Sequence, residues 1–334
     1  MKVLAGDIGG TKTLLQVADV SGKKVEVIHR TRFSSQDYGN FESLLGEFLE
    51  QLPAGVRKDV TNACFGVAGP VRGDEKEGTR YATVTNLPWQ LNENELQTRL
   101  SLPHVHLIND LYATACGIEA LREDDLSVLQ SGKPRHCAPR LVVGAGTGLG
   151  VAQLFWCNGH YQAFASEGGH IHFAPRDAIQ TDLLAYMQGL FDRVSYERLV
   201  SGNGLTHIYT FLVQRDHSSA KSDHASVLDS PDPAAEVARL ASEGNTLACQ
   251  ALDLFITLYG AVAGDLALVC LAYGGVYISG GIAPKLLREM REAGFMTAYK
   301  DKGRMSPLVE QMPVYIILNQ DVGLLGASLA ASRI

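Results

Sequence analysis

The chain has 334 residues, 46% of them hydrophobic, and a formal net charge of -7. That length supports a large core and two domains. The acidic balance, with no basic block anywhere, argues against a nucleic-acid partner or an anionic-membrane surface.

Six cysteines, Cys64, Cys116, Cys137, Cys157, Cys249 and Cys270, form no C-x-x-C pair, and the N-terminus enters a strand-like segment with no leader pattern. These features predict free thiols and a cytoplasmic protein. Residues 3–20 read as strand, glycine turn, strand, with Leu15 and Val17 alternating as in a half-buried strand. A third strand is predicted over 24–33 and an amphipathic helix over 41–52. Strands over 62–67 and 104–108 follow, the second leading into Asn109-Asp110 and a helix from about Leu111. Residues 141–157 repeat the opening theme of strand, glycine turn and strand, which predicts an internal duplication. Residues 181–190 read as a helix with Leu183, Leu184, Met187 and Leu190 on one face. The polar stretch 215–232 predicts a surface loop. Residues 247–273 are apolar enough to suggest a membrane span, but Asp253 and Asp265 interrupt them. A buried helix capped by Asn245 is expected instead. Strands over 276–279 and 314–318, then a helix capped by Asp321, complete the pattern. Alternating strands and helices predict an α/β protein, and the two hairpins argue for mixed rather than purely parallel sheets.

Two glycine turns suggest phosphate handling. In Asp7-Ile8-Gly9-Gly10-Thr11-Lys12-Thr13 the glycines let backbone N–H groups approach an anion, and Thr11 adds a hydroxyl. Asp7 beside a polyphosphate implies a hard cation between them, held through water. Thr11 sits where a P-loop needs glycine, and a strand follows, so this is not a P-loop. An ordinary hairpin with an Asp-x-Gly turn would read the same. Gly144-Ala145-Gly146-Thr147-Gly148-Leu149-Gly150 is the second turn, and the strand after it disfavours dinucleotide binding. Two such hairpins in one chain suggest two clamps on one nucleotide. Gly280-Gly281, after a buried strand, would let an adenine ring lie against backbone.

Polar residues suited to a polyol form three groups. Asn109-Asp110 lies at a strand end, where α/β ligands bind. Asp110 is either a helix N-cap or a general base. Glu167 and His170 flank Gly168-Gly169 and can aim at one ligand. His170-Ile171-His172 invites a zinc reading, but no cysteine cluster accompanies it; His172 reads as structural. Ser195 to Gly202 contains Glu197, which is either a first-turn acid in a helix running from Ser195 to Gly202 or a ligand-binding carboxylate.

Taken together, Gly6-Asp7-Ile8-Gly9-Gly10-Thr11, Thr85-Asn86 with Trp89, Ile108-Asn109-Asp110, the Gly144 to Gly150 turn, Glu167-Gly168-Gly169-His170, Glu197-Arg198 with Ser201-Gly202, Gly280-Gly281-Ile282 and Gly323-Leu324-Leu325-Gly326 resemble the bacterial glucokinase family of the non-ROK type. The likeness runs from about Leu4 to about Ala327. It implies an actin-like, ribonuclease H-like duplicated α/β fold. A small domain of residues 1–118 with 320–334 would close on a large domain of 119–319. It implies glucose bound by Asn109, Asp110, Glu167, His170 and Glu197, with Asp110 as base. ATP would be held by Asp7, Gly9, Gly10, Thr11, Gly146, Thr147, Gly148, Gly280 and Gly281, with Mg²⁺ at Asp7. It also implies a homodimer. Lys12 departs from the asparagine that many members carry, and the zinc-binding cysteine run of ROK kinases has no counterpart. Kinases for other hexoses, and a non-catalytic sugar sensor, are the competing readings.

Overall fold

The aliphatic runs on either side of Gly9-Gly10 form an antiparallel hairpin, β1 (Lys2–Ile8) and β2 (Lys12–Ser21), in a computed structural model that describes residues 1–73, 78–216, 221–292 and 294–334. β3 (Lys24–Ser34) pairs with β2, and β4 (Val60–Val67) adds parallel to β1. Three short strands, β5 (Val71–Gly73), β6 (Arg80–Thr83) and β7 (Gln90–Asn92), make a separate antiparallel sheet. β8 (His104–Asn109) adds parallel to β4, giving the order β3-β2-β1-β4-β8.

β2 is buried along both faces rather than one. Leu15 and Val17 join the core around Phe41 and Phe48, while Leu14 packs with Leu324 and Ala327. Helices on both sides of the sheet thus remove the solvent face that alternation implied. One of them, Val322–Ala331, crosses the helix Asp110–Gly117 at backbone contact. A Cβ at Gly326 would lie 1.7 Å from the Ala113 carbonyl oxygen, and one at Gly117 would lie 2.0 Å from that of Val322. Asp321 stands before Val322–Ala331 but makes no side-chain cap; its carboxylate pairs with Arg30 instead. These elements belong to a first unit of Met1–Asp125, Cys157–Ala165 and Asn319–Ile334.

The second unit comprises Leu126–Trp156 and Ser166–Leu318. After β9 (Leu126–Gln130), the strands β10 (Arg140–Ala145) and β11 (Leu149–Cys157) form another antiparallel hairpin, and β12 (His160–Ser166) follows in the chain. β13 (Val276–Ser279) and β14 (Val314–Ile317) add parallel to β10, and β9 closes the edge antiparallel to β14. The orders β2-β1-β4-β8 and β11-β10-β13-β14 are the same. Each is a hairpin whose first strand carries two further parallel neighbours, so the duplication is present in the topology.

The apolar stretch predicted as a buried helix is Thr246–Cys270, and Asn245 caps it by accepting from the Ala248 N–H at 3.0 Å. It is long and apolar enough to cross a membrane, yet most of it is buried inside this unit. Gly260 and Gly264 let it touch the helix Phe295–Lys300, and Asp265 pairs with Lys302 at 2.8 Å.

Two expectations need correction. The polar stretch 215–232 is largely helical among its described residues. The helix Gly202–Asp216 ends there, Lys221–Asp229 follows, and Asp232 caps Pro233–Ser242 by accepting from the Ala235 N–H at 3.1 Å. Residues 217–220 lie outside the described set. Val227, fully buried, anchors the middle helix, too little apolar content to give a periodic signal. The helix expected over 181–190 is Ala178–Gln188, which buries Leu183 and Met187 but leaves Leu190 beyond its end and 51% exposed.

Candidate active site

In the first unit, the register of the parallel strands puts Asp7 on β1 beside Gly66 on β4, and Gly66 beside Ile108 on β8. Asn109 and Asp110 follow at the sheet's C-terminal edge. A Cβ at Gly66 would lie 3.0 Å from that of Ala113 and 3.9 Å from the Asp110 Cα, so its lack of a side chain lets the helix Asp110–Gly117 pack closely against β4. Asn109, not Asp110, caps the helix Asp110–Gly117. Its Oδ1 accepts from the N–H groups of Leu111 at 3.0 Å and Tyr112 at 3.3 Å. Asp110 Oδ1 accepts from the Leu111 N–H at 2.9 Å, and the Asn109 side chain also hydrogen-bonds the Asp110 carboxylate.

The first glycine turn is braced from behind. Gly9 N–H donates to the Lys12 carbonyl at 3.0 Å, Ser35 N–H donates to that of Thr11 at 3.0 Å, and Ser35 Oγ donates to that of Gly9 at 2.7 Å. Gly10 passes so close to Thr85 that a Cβ would lie 2.6 Å from its carbonyl oxygen. Among the described residues, the N–H groups of Gly10 and Thr11 have no acceptor, which suits an anion.

Burial, and then the charge of Asp110, push the Asp7 carboxyl up to about 6, although Lys12 pulls the other way. Burial also raises Asp110, offset in part by the N–H groups it accepts from. No donor among the described residues reaches the Asp7 carboxylate. A buried acid beside a second acid, with no donor of its own, is a setting that a hard divalent cation relieves. The residues present therefore fit Mg²⁺ held at Asp7.

In the second unit the three polar residues expected to share a ligand stand together. Glu167 precedes the 3-10 turn Gly168–His170. His170 Nε2 lies 3.8 Å from Glu167 Oε2 and 3.8 Å from Glu197 Oε1. Gly169 is required there, because a Cβ would lie 1.8 Å from the Leu149 carbonyl oxygen. Glu167 is open to solvent and Glu197 is partly covered. Glu197 sits in a 3-10 turn, Tyr196–Arg198, not in a helix running to Gly202. Gly202 opens the next helix rather than ending one. Glu197 Oε2 accepts from the Leu149 N–H at 3.0 Å. His172 accepts from Arg193 Nε at 3.0 Å, and Arg193 also donates to the His170 carbonyl at 2.9 Å, so His172 is tied into the scaffold.

The second glycine turn sits at the end of β10. Gly146 N–H donates to the Gly148 carbonyl, and Gly202 N–H donates to that of Gly146, both at 2.9 Å. Gly280 has φ +86°, and a Cβ on it would lie 2.2 Å from the Ala145 carbonyl oxygen. A cavity of about 420 Å³ opens beside these turns, lined by Gly146, Thr147, Asn203, Pro233, Gly281 and Lys285 among others. Gly148 and Gly280 do not line it. Gly148 backs onto Glu197 and Gly280 onto Ala145. Tyr259, from the buried helix, ties the strand ends together. Its hydroxyl accepts from the Ala145 N–H at 3.2 Å and donates to the Val143 carbonyl at 3.1 Å. Asn203, Lys285 and Tyr259 escape sequence reasoning. Asn203 adjoins a flagged glycine, but Tyr259 is one phenol in an apolar run.

The glucokinase family model matches residues 4–334. A glucokinase of Nostoc punctiforme is 43% identical over 347 aligned residues, covering 99% of each chain. One of Cronobacter sakazakii is 34% identical, covering 97% of this chain and 95% of its own. A crystal structure of a glucokinase from an Antarctic psychrotroph has a TM-score of 0.87 at 28% identity, covering 100% of this chain and 99% of its own. A ROK-family glucokinase from Streptomyces griseus, solved with glucose and AMPPNP, has a TM-score of 0.63 at 21% identity, covering all of both chains, and shares the actin-like fold. Motif order, length and fold agree, and this chain belongs to the glucokinase family.

Proposed function

We propose that this glucose kinase moves the γ-phosphoryl group of ATP to the 6-hydroxyl of glucose, with Asp110 as general base. The observation that carries the reading is the pairing of His170 with both Glu167 and Glu197, a cluster of acceptors and an imidazole suited to vicinal hydroxyls. Asn109, Asp110, Glu167, His170 and Glu197 bind the sugar. A site that hydrogen-bonds each hydroxyl rejects analogues lacking one.

Phosphoryl transfer needs positioning and charge neutralisation more than covalent help from the protein. Gly9, Gly10 and Thr11, together with Gly146, Thr147 and Gly148, orient the phosphates. Gly281 gives the base a flat backbone surface in the 420 Å³ cavity, which is of a size for a nucleoside, and Gly280 holds it there by turning tightly against Ala145. Mg²⁺, when bound, neutralises phosphate charge, and Asp7 holds it through water. Asp110, whose carboxyl burial has already made more basic, takes the proton of the attacking hydroxyl. A small domain of residues 1–118 with 320–334 closes on a large domain of 119–319 and excludes water, which would otherwise compete as nucleophile. The enzyme works in the cytoplasm, at the entry to glycolysis, as a homodimer.

A coupled assay of ADP release tests the reading across glucose, mannose, fructose and glucosamine with ATP and Mg²⁺. Glucose should give the highest kcat/KM. No ADP release with glucose would overturn it in favour of a sugar sensor.

A further inference from the structure

Taking the sugar and nucleotide assignments above as given, we propose that Glu197 is a mechanical link between the two substrates. It faces the sugar cluster with one carboxylate oxygen and holds the nucleotide turn with the other. Oε1 lies 3.8 Å from His170 Nε2. Oε2 accepts from the Leu149 N–H at 3.0 Å, at the residue directly after Gly146-Thr147-Gly148. The contact is close-fitting on the turn's side as well. A Cβ at Gly148 would lie 2.6 Å from Glu197 Oε2, and the three nearest heavy atoms to it all belong to Glu197. Gly148 has no left-handed φ, so its backbone would tolerate a side chain. What it cannot accommodate is the carboxylate in its present place.

One carboxylate therefore cannot satisfy both sides independently. Moving Oε1 to meet sugar hydroxyls rotates Oε2 against Gly148 and the Leu149 amide. Moving the turn to grip phosphate shifts the anchor of the carboxylate. Coupling of this kind is reciprocal in binding free energy. Each ligand should feel a change made at the other's side.

Two variants, each read with the ligand it does not touch, test this by calorimetric titration. Gly148→Ala should weaken glucose binding at least tenfold with no nucleotide present, although Gly148 belongs to the phosphate turn. Gly146→Ala, whose Cβ would meet nothing within 4 Å, should keep glucose affinity within twofold. Glu197→Ala should weaken Mg²⁺-ADP binding at least threefold with no sugar present, although Glu197 belongs to the sugar cluster. Wild-type glucose affinity in Gly148→Ala, or wild-type ADP affinity in Glu197→Ala, overturns the link while leaving the kinase assignment intact. A wild-type chain that binds no glucose overturns the sugar assignment and the link together. Thermal unfolding of each variant separates loss of binding from loss of fold.

Discussion

Asp110 acts on Asp7 across the end of the first unit's sheet: its negative charge adds to burial in lifting the Asp7 carboxyl to about 6. The two acids come from β1 and from the helix after β8, and Gly66 on the intervening strand lets that helix pack close to the sheet. Two like charges held in a partly dry place repel one another. A divalent cation held at Asp7 would relieve that repulsion.

Replacing Asp7 should remove the cost of its buried charge. The folded-state value lies above the ordinary 3.8, so the folded chain binds the proton more tightly than the unfolded chain. The penalty is absent below about pH 4, grows as pH rises through 6, and is complete above. Asp7→Asn should then be more stable than wild type by about 2–3 kcal/mol at pH 7.5, and equal to it near pH 4. Urea unfolding across that range measures the difference. The same variant should lose most of its turnover with ATP and Mg²⁺.

Asp110→Asn keeps the shape and one acceptor for the Leu111 N–H but cannot take a proton. It should lower kcat by roughly 10²–10⁴ while glucose affinity stays within a few-fold. Steady-state kinetics beside a glucose titration would show this. Turnover near that of wild type would remove Asp110 from the role of base.

Glu167→Gln removes a solvent-facing charge beside His170. Glucose affinity should fall about tenfold, with ADP affinity unchanged, because among the described residues no hydrogen bond or ion pair joins Glu167 to the glycine turns. Titration followed by intrinsic fluorescence distinguishes the two effects.

Tyr259→Phe deletes the hydroxyl that joins Ala145 and Val143 just before the second glycine turn. The cost should be about 1–3 kcal/mol, as for a buried polar group deprived of its partner. KM for ATP should rise more than KM for glucose. Equal changes in both would reduce Tyr259 to a purely structural role.

Much of this was legible before any coordinates. Asn109-Asp110, Glu167, His170, Glu197 and both glycine turns stand out because ligand chemistry needs polar groups and bare backbone at strand ends. The division of labour within a pair was not legible. Capping belongs to Asn109 alone, since only its side chain reaches back over two N–H groups, and nothing in the dipeptide says so. Leu15 and Val17 suggested one buried face, but burial of the other depends on Val322–Ala331, some 300 residues on. Gly148 read as a phosphate contact, yet its lack of a side chain is also what admits Glu197. A turn residue and the acid it accommodates, 49 positions apart, leave no local trace.

The backbone crossing at Gly326 and Ala113 has a consequence for how the chain is made. Every segment of the second unit leaves the ribosome before Asn319 does. The helix that supports Asp110 is made after all of them, so the unit carrying Asp110 must wait, partly assembled, while the other is already able to fold. A released chain ending at Leu318 should be protease-resistant in one half and cleavable in the other.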